Sequence, residues 1–326
     1  MGNNAPSFTA AQQQMLDQAE AAEPAVGARL LLRLAADFWK TGQTAEFLEC
    51  FERSYRLDPY SKINQLLPTG AGPEQLRQIT EALLDRGCAY SAVIGAHARA
   101  EAALGRREAV GKLVDYARFY HQGVCDPPAG STLDVFNQTL AAEIKADLTF
   151  YAEEGRSIRN TWRNDRIMRS PAPALTALRS ILAREMERYI DALPRDGDHP
   201  FIASRPAEYA LDGWAVVSTA EGHHQSHIHP RAWATGVYYV SQPEVSRDPV
   251  DPRGWLRVGP PPDLDGMDTG WETRLVEPKA GSFILMPAYF YHSTEPMRVD
   301  QERICVAFEV QPPSLKPRRR TRSRAD

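Results

Sequence analysis

The sequence predicts an α+β protein in two parts, a helical N-terminal region and a C-terminal antiparallel β-barrel backed by helices. Two observations lead to this fold class. Across about the first 125 residues, apolar side chains recur at helical spacing and are interrupted by glycine and proline. From about Tyr209 onward the pattern changes to short apolar runs separated by Gly, Pro and Asp, which is typical of an antiparallel barrel.

Length and composition agree with a soluble protein of two domains. The chain has 326 residues, of which 43% are hydrophobic and 25% are charged, so each domain is able to bury its own core. No apolar run approaches the length of about 18 residues that indicates a membrane span. The N-terminus lacks the pattern of a secretory signal, and the four cysteines are widely spaced. We therefore expect a cytoplasmic protein with reduced thiols and no membrane partner.

Two pairs of helices are predicted in the N-terminal region. The first pair runs from Leu30 to Tyr55 with its turn at Gly42, and the second runs from about Ser91 to Phe119 with its turn at Gly105. Both turns are placed at glycine because this residue ends a helix without strain. Residues 1–125 are therefore predicted to form a helical domain.

The first pair is similar in several positions to a tetratricopeptide repeat. The similar features are Leu34, Gly42, Phe51 and the stop at Asp58-Pro59. The two turn glycines are too far apart for a regular tandem array, so a pair of divergent, TPR-like hairpins is the safer prediction. Such hairpins leave a groove that docks a peptide or protein partner, but an ordinary helical domain explains the pattern equally well.

Residues 126–315 are predicted to form the second domain, with its barrel at about residues 205–312. The stretch from Cys125 to Ser131 reads as a linker because its Pro and Gly residues break helices. Two helices are predicted in this domain, marked by apolar residues from Leu133 to Leu148 and from Leu175 to Leu193. The basic stretch between them, Arg156 to Arg163, is interpreted as a solvated loop, and the basic tail at residues 316–326 as disordered. We expect no nucleic-acid partner.

The barrel strands are predicted from short apolar or alternating runs. They are Trp214 to Ser218, a strand carrying His227 and His229, Thr235 to Ser241, Trp255 to Val258, Glu272 to Val276, Ser282 to Met286 and Arg303 to Val310. The stretch from Gly259 to Gly270 is too polar and too rich in Pro and Asp for a core. It is either a mobile lid or substrate loop, or a plain surface insertion.

Three histidines in the barrel have the spacing of a metal site. His227 and His229 lie two residues apart, and because side chains alternate along a strand, they point to one face while Ile228 points to the other. His292 follows a buried strand further along the chain. A lone strand histidine is usually a satisfied polar residue, but a pair with a third imidazole predicts that one ion is bound.

Arg303 begins the strand after the third histidine. Its planar guanidinium suits a carboxylate that is held at both oxygens. The alternative is an ion pair with Glu309 or Asp300. Cys305, on the same face as Arg303, is interpreted as a small apolar filler.

Taken together, residues 205 to 312 resemble the 2-oxoglutarate/Fe(II)-dependent oxygenases, most closely bacterial members with the pattern H-x-H-P, G-V-Y-Y, H and E-R-I. The resemblance lies in the order and spacing of several pieces, each of which is weak evidence alone. The matching pieces are His227 to Pro230, Thr235 to Tyr239, Gly281 to Pro287, His292, and Glu302 through Phe308. The resemblance implies a double-stranded β-helix, the jelly-roll or cupin-like barrel.

The resemblance also implies a dioxygenase, or hydroxylase, that converts 2-oxoglutarate to succinate as it oxidises a C–H bond. The implied ligands of Fe(II) are His227, His229 and His292. The implied contacts of the cosubstrate 2-oxoglutarate are Arg303, Tyr239, Thr235 and Val237. The substrate itself is not readable, although a docking domain joined to a barrel suggests a peptide or protein.

One departure from the wider superfamily leaves alternatives open. Most of these enzymes bind iron through two His and one Asp or Glu, and here His229 stands in place of the carboxylate. A three-His, cupin-like dioxygenase that does not use 2-oxoglutarate is therefore an alternative interpretation. So does a non-catalytic adaptor with a degenerate barrel. His223 and His224, in the predicted turn before the pair, are expected to be loop residues and not ligands.

Three further side chains are candidates for the substrate pocket. They are Trp214, Trp233 and Arg231, which lie near the histidine pair in the sequence. The alternative for each tryptophan is core packing, because a buried Trp is more often part of a core.

Overall fold

A computed structural model describes residues 6–59, 71–147, 151–152, 158–195, 197–248 and 250–311, with residues 151–152, 158–160 and 220–221 described in their backbone alone. The basic tail predicted at 316–326 lies outside these residues. The helices are α1 Ala10–Ala21, α2 Pro24–Lys40, α3 Thr44–Leu57, α4 Pro73–Asp85, α5 Ser91–Ala103, α6 Arg107–Leu113, α7 Tyr116–Phe119, α8 Leu133–Ala146, α9 Pro173–Ala192 and α10 Pro200–Ala203. The strands are β1 His121–Val124, β2 Tyr151–Ala152, β3 Ile158–Asn164, β4 Ala210–His224, β5 Ala234–Ser241, β6 Leu256–Val258, β7 Arg274–Val276, β8 Ser282–Pro287, β9 His292–Thr294 and β10 Val299–Gln311.

The N-terminal region contains the two predicted helical pairs. α2 and α3 form the first pair, and Gly42 between them has φ of 76°, the left-handed conformation that glycine adopts without strain. In the second pair α5 is followed by two short helices, α6 and α7. The break comes at Asp115, whose side chain accepts hydrogen bonds from the backbone of Ala117 and Arg118 and so starts α7 anew. The similarity to a tetratricopeptide repeat stays a prediction.

The barrel consists of two antiparallel sheets. The larger sheet has the strand order β1-β8-β5-β10-β4-β3-β2, and the smaller has the order β7-β6-β9. Leu256 and Val258 of the smaller sheet belong to the same hydrophobic cluster as the larger sheet, so the two sheets enclose one interior. This combination of helices and antiparallel sheets is the α+β class predicted from the sequence.

Helices α8 and α9 back the larger sheet, as predicted. The Tyr238 hydroxyl on β5 donates a 2.7 Å hydrogen bond to Asn137 on α8, so this face of the sheet is the outer one. Alternation then turns Tyr239 inward. On β10 the pairing of Cys305 with Tyr239 places Arg303, Cys305, Ala307 and Glu309 on the same inner face.

Three predictions about strands are wrong. β1 lies within the region predicted to be helical, where it pairs with β8 at the sheet edge, and its four residues are too few to produce a visible pattern. β3 replaces the predicted basic loop, because Thr161 to Asn164 pair in register with β4. The segment of the histidine pair is not a regular strand, since His227 forms only an isolated bridge with His292.

The hydrophobic residues form two clusters that divide within α5. Tyr90, Ala92 and Val93 belong to the N-terminal cluster, whereas Ile94 and Ala98 belong to the cluster of the barrel. The first turn of α5 also contacts the histidine segment, because the Ser91 hydroxyl donates a 2.6 Å hydrogen bond to the carbonyl of Ala232. The helical region is thus packed directly against the segment that follows the histidine pair. The predicted domain boundary after residue 125 stays a prediction.

None of the helices in the described ranges is both long enough and apolar enough to cross a bilayer. All four cysteines are free and buried.

Candidate metal and cosubstrate site

Three histidines meet inside the open end of the barrel. One possible ligand atom from each of His227, His229 and His292 lies within 4.8 Å of the others. Backbone hydrogen bonds fix this arrangement, because His227 and His292 exchange a pair of 3.0 Å bonds and the His229 amide donates to Ala288. Ile228 points the other way and packs against the N-terminal cluster. The alternation predicted for these residues therefore holds although the segment is not a ladder strand.

Each of the three rings has its Nδ1 atom beside a hydrogen-bond acceptor. Nδ1 of His227 lies 2.7 Å from the carbonyl of Gln225, and Nδ1 of His292 lies 2.9 Å from the carbonyl of Phe290. Nδ1 of His229 is hydrogen-bonded to a carboxylate oxygen of Glu309. Because carbonyls and carboxylates only accept, Nδ1 carries the proton in each ring and the Nε2 lone pairs remain free.

The Nε2 atoms are spaced as ligands of one ion. Those of His229 and His292 are 3.1 Å apart, and neither carries a proton to share when both Nδ1 atoms are protonated. Two nitrogen ligands at about 2.1 Å from one divalent ion, in tetrahedral or octahedral geometry, lie roughly 3.0 to 3.4 Å from each other. The donor set therefore fits a divalent transition metal that accepts imidazole ligands.

The buried environment keeps the imidazoles of His227 and His292 neutral. Burial, and after it the proximity of His229, lowers the pKa of His227 to about 4. Burial, followed by the charges of His227 and His229, holds the pKa of His292 well below its usual range. Burial acts to raise the pKa of the Glu309 carboxyl, but His229 and a hydrogen bond from Gln311 outweigh it and the pKa is lowered. A neutral imidazole is the form that binds a metal.

A second polar site lies further along the inner face of β10. Arg303 is only 2% exposed, and its Nη1 donates a 3.2 Å hydrogen bond to the carbonyl of Gly254. Its Nε and Nη2 atoms have no hydrogen-bond partner in the described part of the chain, and the same holds for the hydroxyl of Tyr239. Leaving a buried donor unpaired costs about 1 to 3 kcal/mol, and more for a charged group. The Nε and Nη2 edge is the one that receives a carboxylate at both oxygens.

The structure does not have the alternative ion pair between Arg303 and Glu309, because the Glu309 carboxylate pairs with His229. Both lie on the inner face of β10, but they are six residues apart on an extended strand, and Glu309 reaches His229 at the metal end. Burial raises the pKa of the Tyr239 hydroxyl, so this group stays a neutral donor beside the guanidinium. Burial lowers the pKa of His224, and the charges of His227 and Arg303 add to this lowering, so His224 lies near both polar sites.

The other predicted cosubstrate contacts are inward as expected but differ in what they offer. The Thr235 hydroxyl already donates a 3.1 Å hydrogen bond to the carbonyl of Phe308. Val237, opposite Ala307, is half-buried and offers apolar surface only. These two residues therefore shape the cavity and leave the polar contacts to Arg303 and Tyr239.

The three candidates for the substrate pocket lie in different surroundings. The ring of Trp214 stacks on His229 at 5.8 Å, and the guanidinium of Arg163 lies 4.0 Å from its centre, so Trp214 borders the histidine cluster. Trp233 is a core residue instead, because it stacks on Phe201 at 4.6 Å and its indole N–H donates to the carbonyl of Phe201. Arg231 is half-buried in the turn that follows His229.

His223 and His224 are also placed differently from the prediction. Both belong to the end of β4 and not to a loop. The ring of His224 lies 5.9 Å from that of His227, and its backbone amide donates to Thr294 on β9. Neither belongs to the cluster of three ligand atoms.

Sequence reasoning missed Glu309 at the metal site, and Gly254, which bonds to Arg303, with Ser246 next to it. The hydroxyl of Ser246 is buried without a hydrogen-bond partner among the described residues. Gly254 has φ of 77°, and a Cβ there would overlap the Ser246 hydroxyl. Of the missed residues, only Glu309 could have been found from the sequence, because period-2 alternation from Arg303 puts it on the inner face.

Residues 212–309 match the model of a protein family described as "Putative 2OG-Fe(II) oxygenase". This stretch is similar to the oxygenase domain of that family. The match begins in β4 and ends in β10, so the matched stretch includes all three histidines, Tyr239 and Arg303. Its family is defined by iron and 2-oxoglutarate, the metal and cosubstrate that the resemblance implied.

Several solved structures are similar to the chain at low identity. A prolyl-4-hydroxylase from Pseudomonas putida is 15% identical with a TM-score of 0.42, and the match covers 65% of this chain and 98% of that one. HygX from Streptomyces hygroscopicus, solved with nickel and 2-oxoglutarate, is 14% identical with a TM-score of 0.42 over 64% of this chain and 89% of that one. No curated protein matches the chain.

Proposed function

We propose that this chain binds Fe(II) through His227, His229 and His292, anchors 2-oxoglutarate on Arg303, and hydroxylates a C–H bond of a peptide or protein. One observation carries the proposal. Three free imidazole nitrogens converge in the barrel interior, where a buried guanidinium has an edge with no partner among the described residues. The first feature suits a divalent metal, and the second suits a carboxylate.

The three histidines would hold the metal with their Nε2 atoms. Their Nδ1 contacts fix the tautomer and the orientation of each ring before the metal arrives, which lowers the entropy lost on binding. Three protein ligands leave the remaining positions of a six-coordinate ion open for other ligands.

Arg303 and Tyr239 would receive the distal carboxylate of 2-oxoglutarate. The guanidinium supplies Nε and Nη2, the phenol supplies a third donor, and all three gain the partner that they lack among the described residues. The hydrogen bond from Nη1 to Gly254 holds the fork in place. When bound, iron and 2-oxoglutarate supply oxidising power, because oxidative decarboxylation to succinate is coupled to insertion of oxygen into a C–H bond.

The protein would also supply a dry, shaped cavity. Val237 and Cys305 give it apolar walls, and Trp214 covers one side of His229. Excluding water protects the reacting groups from side reactions.

For the substrate, we propose a peptide or protein that docks on the TPR-like helical pairs. Support comes from the position of the helices, since Ile228 between two metal ligands packs into the N-terminal cluster and Ser91 on α5 bonds to Ala232. A partner bound by the helices would therefore lie close to the open end of the barrel. The four buried, free thiols support a location in the reducing cytoplasm.

An anaerobic titration of the full-length protein with Fe(II) and then 2-oxoglutarate tests the proposal. We expect a visible charge-transfer absorption that needs both additions, and succinate on exposure to oxygen. A protein that binds Fe(II) but forms neither the absorption nor succinate would indicate a three-His dioxygenase that does not use 2-oxoglutarate. A protein that takes up no metal would indicate an adaptor.

A further inference from the structure

A carboxylate lies next to the histidine cluster, at Nδ1 of His229 and not at the Nε2 atom that would bind a metal. The side chain of Glu309, six residues after Arg303 on β10, is 13% exposed and hydrogen-bonds through Oε1 to Nδ1 of His229. The other carboxylate oxygen, Oε2, accepts a 2.6 Å hydrogen bond from the side chain of Gln311. Both oxygens of Glu309 are therefore engaged, and the group is held in one orientation.

The identity of the histidine that Glu309 contacts is informative. The Nδ1 atoms of His227 and His292 lie beside neutral backbone carbonyls, and only His229 is paired with a charged acceptor. His229 is also the residue that stands where most related iron sites have Asp or Glu. The buried charge thus accompanies the one ligand position at which a charge is missing.

We infer that Glu309 restores, through the ring of His229, the negative charge that this metal site lacks. This inference rests on the proposed metal-binding role of the three histidines. Three neutral ligands leave the full double charge of a divalent ion in a buried cavity, whereas two His and a carboxylate leave a single charge. A carboxylate hydrogen-bonded to a ligating imidazole raises the basicity of the ring and places its own charge close to the ion. Glu309 is in this sense a positioning residue and does not touch the metal.

The surroundings of Glu309 fit this role. Asp212 is its neighbour on β4 and Thr235 its neighbour on β5, and neither is a cation, while the charge of Arg163 on β3 adds to the larger effect of His229 in lowering the pKa of the Glu309 carboxyl. A buried carboxylate that lost His229 would retain only the amide of Gln311 as a hydrogen-bond donor among the contacts of its described neighbours. The position is therefore favourable mainly because of the imidazole, and more so when that imidazole binds a cation.

The test compares the binding of Fe(II) and of Co(II) to the full-length protein without oxygen. Glu309→Gln keeps the shape of the side chain and removes its charge, and we expect metal affinity to fall by about 10- to 100-fold, the range typical for partners of a ligating histidine. The Co(II) absorption spectrum should also shift, because the basicity of one ligand changes. Glu302→Gln is the matched control, since Glu302 lies on the same strand but pairs with Lys145 at the surface. It should bind metal like the wild type.

A second pair of variants tests charge separately from shape. His229→Glu places a carboxylate at the ligand position, with a side chain long enough to approach the place of the imidazole nitrogen. In the Glu309→Gln background this exchange should restore affinity to within about tenfold of the wild type. In the single variant His229→Glu, which keeps Glu309, two carboxylates would lie close together. Its metal affinity should be lower than that of the double variant.

Each outcome is decisive for one claim. If the wild type binds neither Fe(II) nor Co(II), the proposed metal site itself is wrong. If the wild type binds metal and Glu309→Gln binds it equally well, Glu309 has no role at the centre. If Glu309→Gln weakens binding but the double variant is no better, the effect of Glu309 is structural and does not depend on charge. Circular dichroism and thermal melting establish that each variant is folded.

Discussion

The two ends of the barrel interior differ in how far their polar groups are satisfied. At the histidine end, every Nδ1 has a partner and the carboxylate of Glu309 has two. At the arginine end, two guanidinium nitrogens and the Tyr239 hydroxyl are buried without a partner in the described ranges. The first end is organised to present lone pairs to a cation. The second is left incomplete in a way that an anionic, carboxylate-bearing molecule would complete.

The affinities for the metal and for the cosubstrate should therefore depend on different properties of the protein. Metal affinity should depend on the rigidity and basicity of the rings, because their geometry is fixed beforehand. Cosubstrate affinity should depend on unpaired donors, because their burial is unfavourable until the ligand arrives. Variants at one end should therefore leave binding at the other end largely intact.

The largest effect is expected from His292→Ala. This change removes one of three ligands and one partner of the 3.1 Å nitrogen pair, so Fe(II) binding should fall by more than about 100-fold. Isothermal titration with Fe(II) or Mn(II) under nitrogen would measure it. The change leaves Arg303 untouched, so retained turnover of 2-oxoglutarate by this variant would contradict the ligand assignment.

Arg303→Ala should produce the next largest effect, and at the other end. Metal affinity should stay within a few-fold of the wild type, while the affinity for 2-oxoglutarate should fall roughly 100-fold, since charged hydrogen bonds contribute about 1.5 to 3 kcal/mol each. Arg303→Lys is the sharper variant, because it keeps the charge and loses the fork. If Lys binds 2-oxoglutarate as tightly as Arg, the two-oxygen contact is wrong. Titration of the Fe(II) protein with 2-oxoglutarate gives both constants.

Gly254→Ala should disturb the arginine end indirectly. The carbonyl of Gly254 holds Nη1 of Arg303, and a methyl group on this left-handed residue would meet the Ser246 hydroxyl. We expect a loss of stability of about 1 to 2 kcal/mol and a moderate rise in the dissociation constant of 2-oxoglutarate. Gly130→Ala is a suitable control, because it also has positive φ but no neighbour within 4 Å of its Cβ. If both variants weaken 2-oxoglutarate binding equally, the weakening comes from the strain of alanine at positive φ and not from the contact with Ser246.

Tyr239→Phe should have the smallest effect. It removes one neutral donor and keeps the ring, so 2-oxoglutarate should bind about 3- to 10-fold more weakly, the value of one hydrogen bond. Metal binding and thermal stability should be unchanged or slightly improved, since an unpaired hydroxyl is removed from the core. Tyr238→Phe on the outer face loses the hydrogen bond to Asn137, so it should lower thermal stability and leave the affinity for 2-oxoglutarate unchanged.

Local periodicity accounts for what could be predicted from the sequence. The inward direction of His227, His229, Tyr239 and Arg303 follows from the two-residue repeat of extended chain, and the structure has it. The same repeat places Trp233 on the face of Thr235 and Tyr239, so alternation gave no sign that its ring stacks on Phe201 in the core. Helices α2, α8 and α9 were found because their apolar stripes are long and regular.

Contacts between distant parts of the chain account for what could not be predicted. The bond between His229 and Glu309 joins residues 80 positions apart, and Arg303 depends on a glycine carbonyl 49 positions before it. β3 escaped prediction because its polar residues are stabilised by pairing with β4, and a lone basic stretch does not reveal its partner.

Ile228 has a consequence for how the protein evolves and is engineered. A single residue between two of the three histidines reaches out of the barrel into the core of α1 to α5, where Gly95 approaches its side chain. Cutting away the N-terminal helices would leave this isoleucine in water and free the histidine segment to shift. The N-terminal helices thus help to hold the three histidines in place, and we expect a chain without these helices to lose metal binding.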